Sequence, residues 1–206
     1  MSEWFLNLVL YFFTYSFCGW LYEVIHSKIA YKKAQGRGVM FGPYCPIYGV
    51  GAVLVFGATY TVKDNIILTF LVALLLCSVL EYLTSFLLEK IFRIKWWDYS
   101  KTEKFNLNGR ICLKVSLAFG FFGVLTVQFV QPFLEKFFTT IPYEIKLVAS
   151  IIFIIVFLFD FVVSLLATLK AKKIVDFSKI VGDQTVAVKK ATKDIVKKTI
   201  KRNKKY

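Results

Sequence analysis

Acidic and hydroxyl side chains interrupt an otherwise apolar stretch in a regular way. Ser78, Glu81, Tyr82, Ser85 and Glu89 follow one another at spacings that place them on one face of a helix. A carboxylate left in hydrocarbon costs several kcal/mol, about 3 by insertion scales, so that face must look inward, to partners or to water. Glu81 then has two roles open to it. It lines a cavity that takes a substrate or coupling ion, or it is a structural hydrogen-bonding and ion-pairing group. Glu89 and Glu23 lie nearer the ends of their apolar stretches, where a long side chain reaches the interface cheaply. Both join Glu81 if the segments converge.

A second group is Gly36-Arg37-Gly38 followed by Gly42-Pro43-Tyr44-Cys45-Pro46-Ile47-Tyr48-Gly49. Two prolines among these glycines rule out a plain helix and predict a rigid, turn-rich lead-in to the next apolar stretch. Irregular backbone at membrane depth is tolerated only against protein or a wet cavity. Arg37, Tyr44, Cys45 and Tyr48 are therefore candidates for a binding loop; a loop that only fixes a short helix explains them equally well. Cys45 as a nucleophile lacks a visible relay, because His26 is the only histidine.

The third group is Trp96-Trp97-Asp98-Tyr99-Ser100 and Phe105-Asn106-Leu107-Asn108-Gly109-Arg110. Its tryptophans suit the headgroup zone. Asp98 and Arg110 flank an Asn-Gly turn. Either they pair with each other, or Arg110 grips a phosphate or carboxylate while Asp98 orients it. Asp160 stands alone in the middle of the last apolar stretch. It pairs with a base, hydrogen-bonds, or lines a path; Lys146 is too far to serve it, fourteen residues or ~21 Å along a helix.

The elements that position these groups follow from composition. Of 206 residues, 57% are hydrophobic, 18% aromatic and only 19% charged, with 22 Phe. A soluble globule, a secreted mini-domain and a nucleic-acid module are excluded. Five apolar stretches run over 4–25, 47–62, 66–88, 111–131 and 147–169. Four reach the roughly 20 residues needed to cross a bilayer; 47–62 is short and glycine-rich, and is tilted, extended through Cys45-Pro46, or re-entrant. In the fourth, Ser116, Gly120 and Gly123 allow close approach to a neighbour. The expected fold is an all-α, polytopic membrane bundle of about five transmembrane helices.

Loops 26–46 and 89–110 are rich in Lys and Arg, whereas the connections between are nearly neutral. Positive-inside then puts the N-terminus outside and the C-terminus in the cytoplasm, as an odd number of spans requires. The formal net charge is +14, of which +10 lies in residues 170–206, leaving +4 for 1–169. The chain thus divides into a bundle, 1–169, and a basic cytoplasmic tail, 170–206. An amphipathic helix on anionic lipid is the first reading of that tail; a coiled-coil helix and a disordered segment are the others. No specific nucleic acid is implied. Cys18, Cys45, Cys77 and Cys112 form no CxxC pair or zinc spacing, and are expected to be reduced and packed.

Tyr15-Ser16-Phe17-Cys18-Gly19-Trp20 with Glu23, the glycine-proline segment 36–49, Glu81-Tyr82, Ser85, Glu89, Trp97-Asp98-Tyr99-Ser100 and Phe105-Asn106-x-Asn108-Gly109-Arg110-Ile111 carry a resemblance. Over roughly residues 10–130 they resemble the Putative ABC-transporter type IV family, small CmpB-like bacterial membrane proteins of permease kind. The resemblance implies a multi-pass protein of the bacterial cytoplasmic membrane, and no established catalytic residues come with it. The sequence has no GxxxxGK[ST] motif, so an ABC role requires a separate ATPase subunit. Five spans are few for a transporter, which makes a homodimer the other option.

Three functions stay open. The first is transport, through a polar cytoplasm-facing cavity formed by Glu23, Arg37, Tyr44, Cys45, Tyr48, Glu81, Ser85, Glu89, Asp98, Tyr99, Asn108 and Arg110. The second is a membrane enzyme acting on a lipid or phosphorylated substrate, with Mg²⁺ on the acids; no cofactor is evident otherwise. The third is a scaffold or regulatory bundle.

Overall fold

A computed structural model describes residues 2–31, 40–93 and 95–170. Arg37 and the tail beyond Lys170 lie outside these residues. Helix α1 spans Glu3–Tyr31, α2 Pro46–Thr59 and α3 Ile66–Phe92. A 3₁₀ turn, Tyr99–Lys101, and a two-stranded hairpin, β1 Asn106–Leu107 with β2 Ile111–Cys112, lead into α4, Leu113–Leu125. A π turn, Thr126–Val130, joins α4 to α5, Gln131–Thr139, without a break. The last helix among the described residues, α6, covers Tyr143–Lys170.

Among the described residues, four helices are long and apolar enough to cross a membrane: Glu3–Ile29, Ile66–Phe92, Leu113–Thr139 and Tyr143–Lys170. Helix α2 has 14 residues, or ~21 Å, against a hydrocarbon core of ~30 Å. Its shortness follows from what precedes it. Residues 40–45 are not helical, and the Cys45 N–H donates to the Ser16 carbonyl at 2.9 Å, midway along α1. Pro46 opens the helix where its missing N–H is harmless.

The packing is inverted relative to a soluble protein. Ser16, Thr59, Thr69, Ser78, Ser116 and Ser150 are buried, while Ile67, Leu75, Phe129, Phe133, Ile155 and Phe159 are exposed. Lipid does not drive apolar residues inward, so small and hydroxyl side chains take the helix contacts and large apolar ones face outward. At Gly19 a Cβ would collide with the Tyr48 ring, and at Gly49 with Ser16 Oγ and the Phe12 carbonyl; α1 and α2 therefore touch backbone to side chain. Gly120 seats against Phe70 and Gly123 against Ala73, so the small-residue face expected of the fourth stretch does meet α3. A compact apolar cluster of Leu10, Tyr11, Tyr15, Leu134 and Phe138 joins α1 to α5.

Two features depart from expectation. The fourth stretch continues past residue 131 to Thr139 through Pro132. A proline inside a helix removes one i→i−4 bond and crowds that carbonyl, and the wide π turn immediately before it relieves both. Lys146, weighed only as too distant a partner for Asp160, is only 1% exposed and pairs with Glu3 Oε1 at 2.7 Å. The chain to Leu165 forms one unit; a second begins at Leu166, of which residues 166–170 are described.

Candidate functional site

The acids are gathered in three clusters, each built by an element that the local sequence explains. The first joins α1, α2, α3 and the link after α3. Tyr48 Oη donates to Glu23 Oε1 at 2.6 Å, and Tyr99 Oη donates to Glu81 Oε1 at 2.9 Å. Glu81 is 6% exposed, and Glu23 acts on it electrostatically. The absence of a Cβ at Gly19 is what lets the Tyr48 ring lie on α1 and reach Glu23, one turn further along.

Tyr99 reaches Glu81 because the link is tightly folded. The Asp98 carboxylate accepts from the Ser100 N–H at 3.0 Å and caps the 3₁₀ turn. The Tyr99 N–H donates to the Gly109 carbonyl at 2.8 Å, tying that turn to the hairpin. Asn108 and Gly109 both have positive φ, 55° and 71°, as a tight Asn-Gly hairpin turn demands. A Cβ at Gly109 would also collide with Asp98 Oδ1, so Gly109 is required twice. Hydrogen bonds from the Ser100 hydroxyl and N–H, helped by Lys95 at 3.6 Å, hold the Asp98 carboxyl below the usual carboxylate range. Burial, then the nearby Glu81, pushes the Tyr99 hydroxyl up, which keeps it a donor.

The second cluster is Arg110. Its Nη1 lies 2.7 Å from Glu89 Oε2 and donates to Ser85 Oγ at 3.3 Å. The guanidinium also sits over the Tyr82 and Phe86 rings, at 5.7 and 5.5 Å. Asn108 Nδ2 donates to the Tyr82 hydroxyl at 3.0 Å, and Trp97 Nε1 to the Arg110 carbonyl at 2.9 Å. The face Ser78–Glu89 does act as one surface: Ser78 donates to Ser116, and Glu81, Ser85 and Glu89 meet the link. Of the two readings weighed for Asp98 and Arg110, the direct pair is not formed. Asp98 is spent on its own turn, and Glu89 lies closer along the helix that Arg110 packs against.

The third cluster surrounds Asp160. Its carboxylate accepts from the Phe41 N–H at 3.3 Å, the Gly42 N–H at 2.8 Å, the Tyr44 hydroxyl at 2.7 Å and the Ser164 hydroxyl at 2.9 Å. The irregular 41–44 segment is thereby fastened to α6 by hydrogen bonds. Of the three roles open to Asp160, hydrogen bonding is the one these contacts match. Periodicity could not have found this pairing, because it joins residues more than a hundred apart.

Among the described residues these acids are hydrogen-bonded or ion-paired rather than set around an open space. They are closed in by tyrosines, since a carboxylate at depth is cheaper hydrogen-bonded than facing lipid. A groove of about 400 Å³ lies instead between α1, α2 and α6, lined by apolar residues such as Phe5, Phe12, Val50, Phe157 and Leu158. Among the described residues no three His, Cys, Asp or Glu side chains are placed to share a metal ion. Cys45 is buried, and His26 stacks on the Tyr22 ring.

A further polar chain escaped sequence reasoning. Tyr15 Oη donates to Gln131 Oε1 at 2.9 Å, and Gln131 Nε2 to Glu135 at 2.9 Å. The signal available was a tyrosine on the same face of α1 as Leu8, Tyr11 and Glu23, two turns from the latter.

No curated protein and no solved structure matches the chain. Residues 10–165 do match the family model described as Putative ABC-transporter type IV. That span includes all three clusters, and the chain belongs to this family: it is a multi-pass, membrane-embedded, transport-associated protein.

Proposed function

We propose that the protein is the membrane-spanning, permease-like component of a transport system, with the Glu23–Tyr48 and Glu81–Tyr99 pairs at the polar centre of its pathway. The carrying observation is the half-length helix α2, whose extended lead-in is fastened at membrane depth by Asp160 and the Ser16 carbonyl. Discontinuous helices with irregular backbone at depth are the way transporters build a substrate site inside a bundle. In this reading the tyrosine-capped acids are the closed state of a path that opens toward the cytoplasm.

The rest of the arrangement follows from charge. The N-terminus lies outside and the C-terminus in the cytoplasm, with five spans counting α2. Residues 1–169 are the bundle, and the basic tail, 170–206, rests on anionic lipid. With no nucleotide-binding motif of its own, the bundle works with a separate ATPase or as a homodimer.

The test is solute profiling of inside-out membrane vesicles incubated with a cell extract, comparing wild type with Asp160→Asn and Tyr48→Phe. A solute that accumulates unchanged in wild type, and less in both variants, is expected. A solute or lipid converted to a new species would establish an enzyme instead, and profiles indifferent to both substitutions would remove the pathway from this site.

A further inference from the structure

The hairpin after α3 turns an apolar side outward. Leu107 stands opposite Ile111 and Asn106 opposite Cys112, so each pair shares one side of the two strands. Cys112, 2% exposed, marks the side turned to the protein. Phe105, two residues before Leu107, belongs to the other side, and Leu113 adjoins it through an N–H donated to the Phe105 carbonyl at 2.9 Å. Phe105 is 77% exposed, Leu107 56% and Leu113 53%.

The depth of this side follows from α3. That span starts at Ile66, after Lys63, Asp64 and the capping Asn65. A hydrocarbon core of ~30 Å takes roughly 20 residues, which counted from Ile66 end at Ser85. The turn of the hairpin is fastened at that level: Asn108 Nδ2 donates to the Tyr82 hydroxyl, and Arg110 Nη1 to Ser85 Oγ. Phe105 and Leu107 therefore lie where acyl chains meet headgroups.

Cations border them. Lys101 ends the 3₁₀ turn, Lys104 precedes Phe105 and Lys114 follows Leu113; all three are exposed, Lys114 with Glu103 at 3.6 Å. Residues 89–114 carry seven Lys or Arg against three Asp or Glu, a net +4. Lysine stems lie along apolar surface and carry the ammonium out to the phosphate layer. A protein in the aqueous phase would meet these lysines but not an apolar side at this depth. An anionic phospholipid meets both.

We infer that the hairpin is a binding site for an anionic phospholipid: Phe105, Leu107 and Leu113 lie against its acyl chains while Lys101 and Lys104 hold its headgroup. The site is separate from the basic tail and needs nothing from the permease reading. The same hairpin carries the Gly109 carbonyl that anchors Tyr99 and the Arg110 that pairs with Glu89. A lipid held here thus steadies the groups that close over Glu81 and Glu89.

The test is photocrosslinking of the full-length protein, with p-benzoylphenylalanine in place of Phe105, in phosphatidylcholine vesicles holding a minority of phosphatidylglycerol. Mass spectrometry identifies the adducts. Phosphatidylglycerol adducts about threefold or more above that lipid's share are expected, falling to its share once Lys101→Gln and Lys104→Gln are added. The same probe at Leu75, mid-span and 62% exposed, should report the bulk ratio. Leu107 carries the probe where the Phe105 replacement does not fold. The bulk ratio at residue 105, no lipid adduct there, or adducts only with a second copy of the chain overturn the site. So does an excess that survives loss of both lysines, which would put the anionic contact on the tail. In cell membranes, an adduct with another protein in place of lipid would make this side a protein interface and overturn it as well.

Discussion

Lys146 Nζ meets Glu3 Oε1 at 2.7 Å, joining the first turn of α6 to the first turn of α1. The two partners differ sharply: the lysine is 1% exposed and the glutamate 61%. Glu3 is thus easily solvated alone, whereas Lys146 is not. Glu3→Gln is expected to destabilise the bundle by about 1–3 kcal/mol, because a buried ammonium loses its counter-charge. Lys146→Met, which removes the charge but keeps the stem, is expected to cost less. Thermal denaturation in detergent, followed by size-exclusion chromatography, ranks the two; the reverse order would contradict the burial argument.

The glycines of α1 and α2 are not equivalent. Gly19→Ala and Gly49→Ala push a methyl group into the Tyr48 ring and into Ser16 with the Phe12 carbonyl, respectively. Each is expected to cost about 1–3 kcal/mol or to prevent folding, as overpacking does. Gly57 has open space at its Cβ position, so Gly57→Ala should be neutral or stabilising by up to about 1 kcal/mol. The same melting assay distinguishes them.

Asp160 secures the 41–44 segment, and Cys45 follows it at 6% exposure. In a variant whose only cysteine is Cys45, maleimide labelling in the folded protein should be slow. Adding Asp160→Ala should raise the rate at least tenfold while Cys18, the exposed cysteine, labels at an unchanged rate in its own single-cysteine variant. An unchanged Cys45 rate would mean the segment is held by something else.

Asp98 defines a pH window. Its folded-state value lies below the ordinary carboxylate value, so its support for the link is present above about pH 4 and lost as pH falls through the depressed value. Emission from a variant keeping only Trp97, whose indole N–H donates to the Arg110 carbonyl, should be flat from pH 8 to pH 5 and change only in stronger acid. A transition centred near pH 6 would point to a different group.

The orientation is open to direct measurement. A green fluorescent protein fused after residue 206 should fluoresce, and alkaline phosphatase inserted after Lys63 should be active outside. The opposite pattern would overturn the charge-based assignment.

How much of this was legible beforehand varied with the distance over which residues interact. The single face of Ser78, Glu81, Tyr82, Ser85 and Glu89 follows from helical spacing, and the small-residue side of α4 from composition, because both are local. The turn-rich 40–46 segment was visible in its prolines and glycines. What it docks against was not, since Asp160 lies in the last helix and nothing local links them. Arg110 had been weighed as a partner of Asp98, its neighbour across the turn; the choice of Glu89 depends on how the hairpin folds back on α3. A polar cytoplasm-facing cavity was expected of these acids and tyrosines; that Tyr48 pairs with Glu23 and Tyr99 with Glu81 was not legible, because each pair joins two different elements.

The π turn at Thr126–Val130 has a consequence for the rod formed by α4 and α5. Eleven residues separate Gly120 from Gln131, very nearly three turns at 3.6 residues each, so an uninterrupted helix would present both to α3. One residue's worth of rotation, about 100°, is taken back at the wide turn. Gln131 is thereby aimed at Tyr15 on α1, while Gly120 keeps its seat on Phe70. The extra residue works as a splice between two phases of the same helix: winding these same residues as a plain α-helix would return the outer half of the rod to the wrong neighbour, whereas deleting one residue from 126–130 would remove the turn and keep Gln131 aimed at Tyr15.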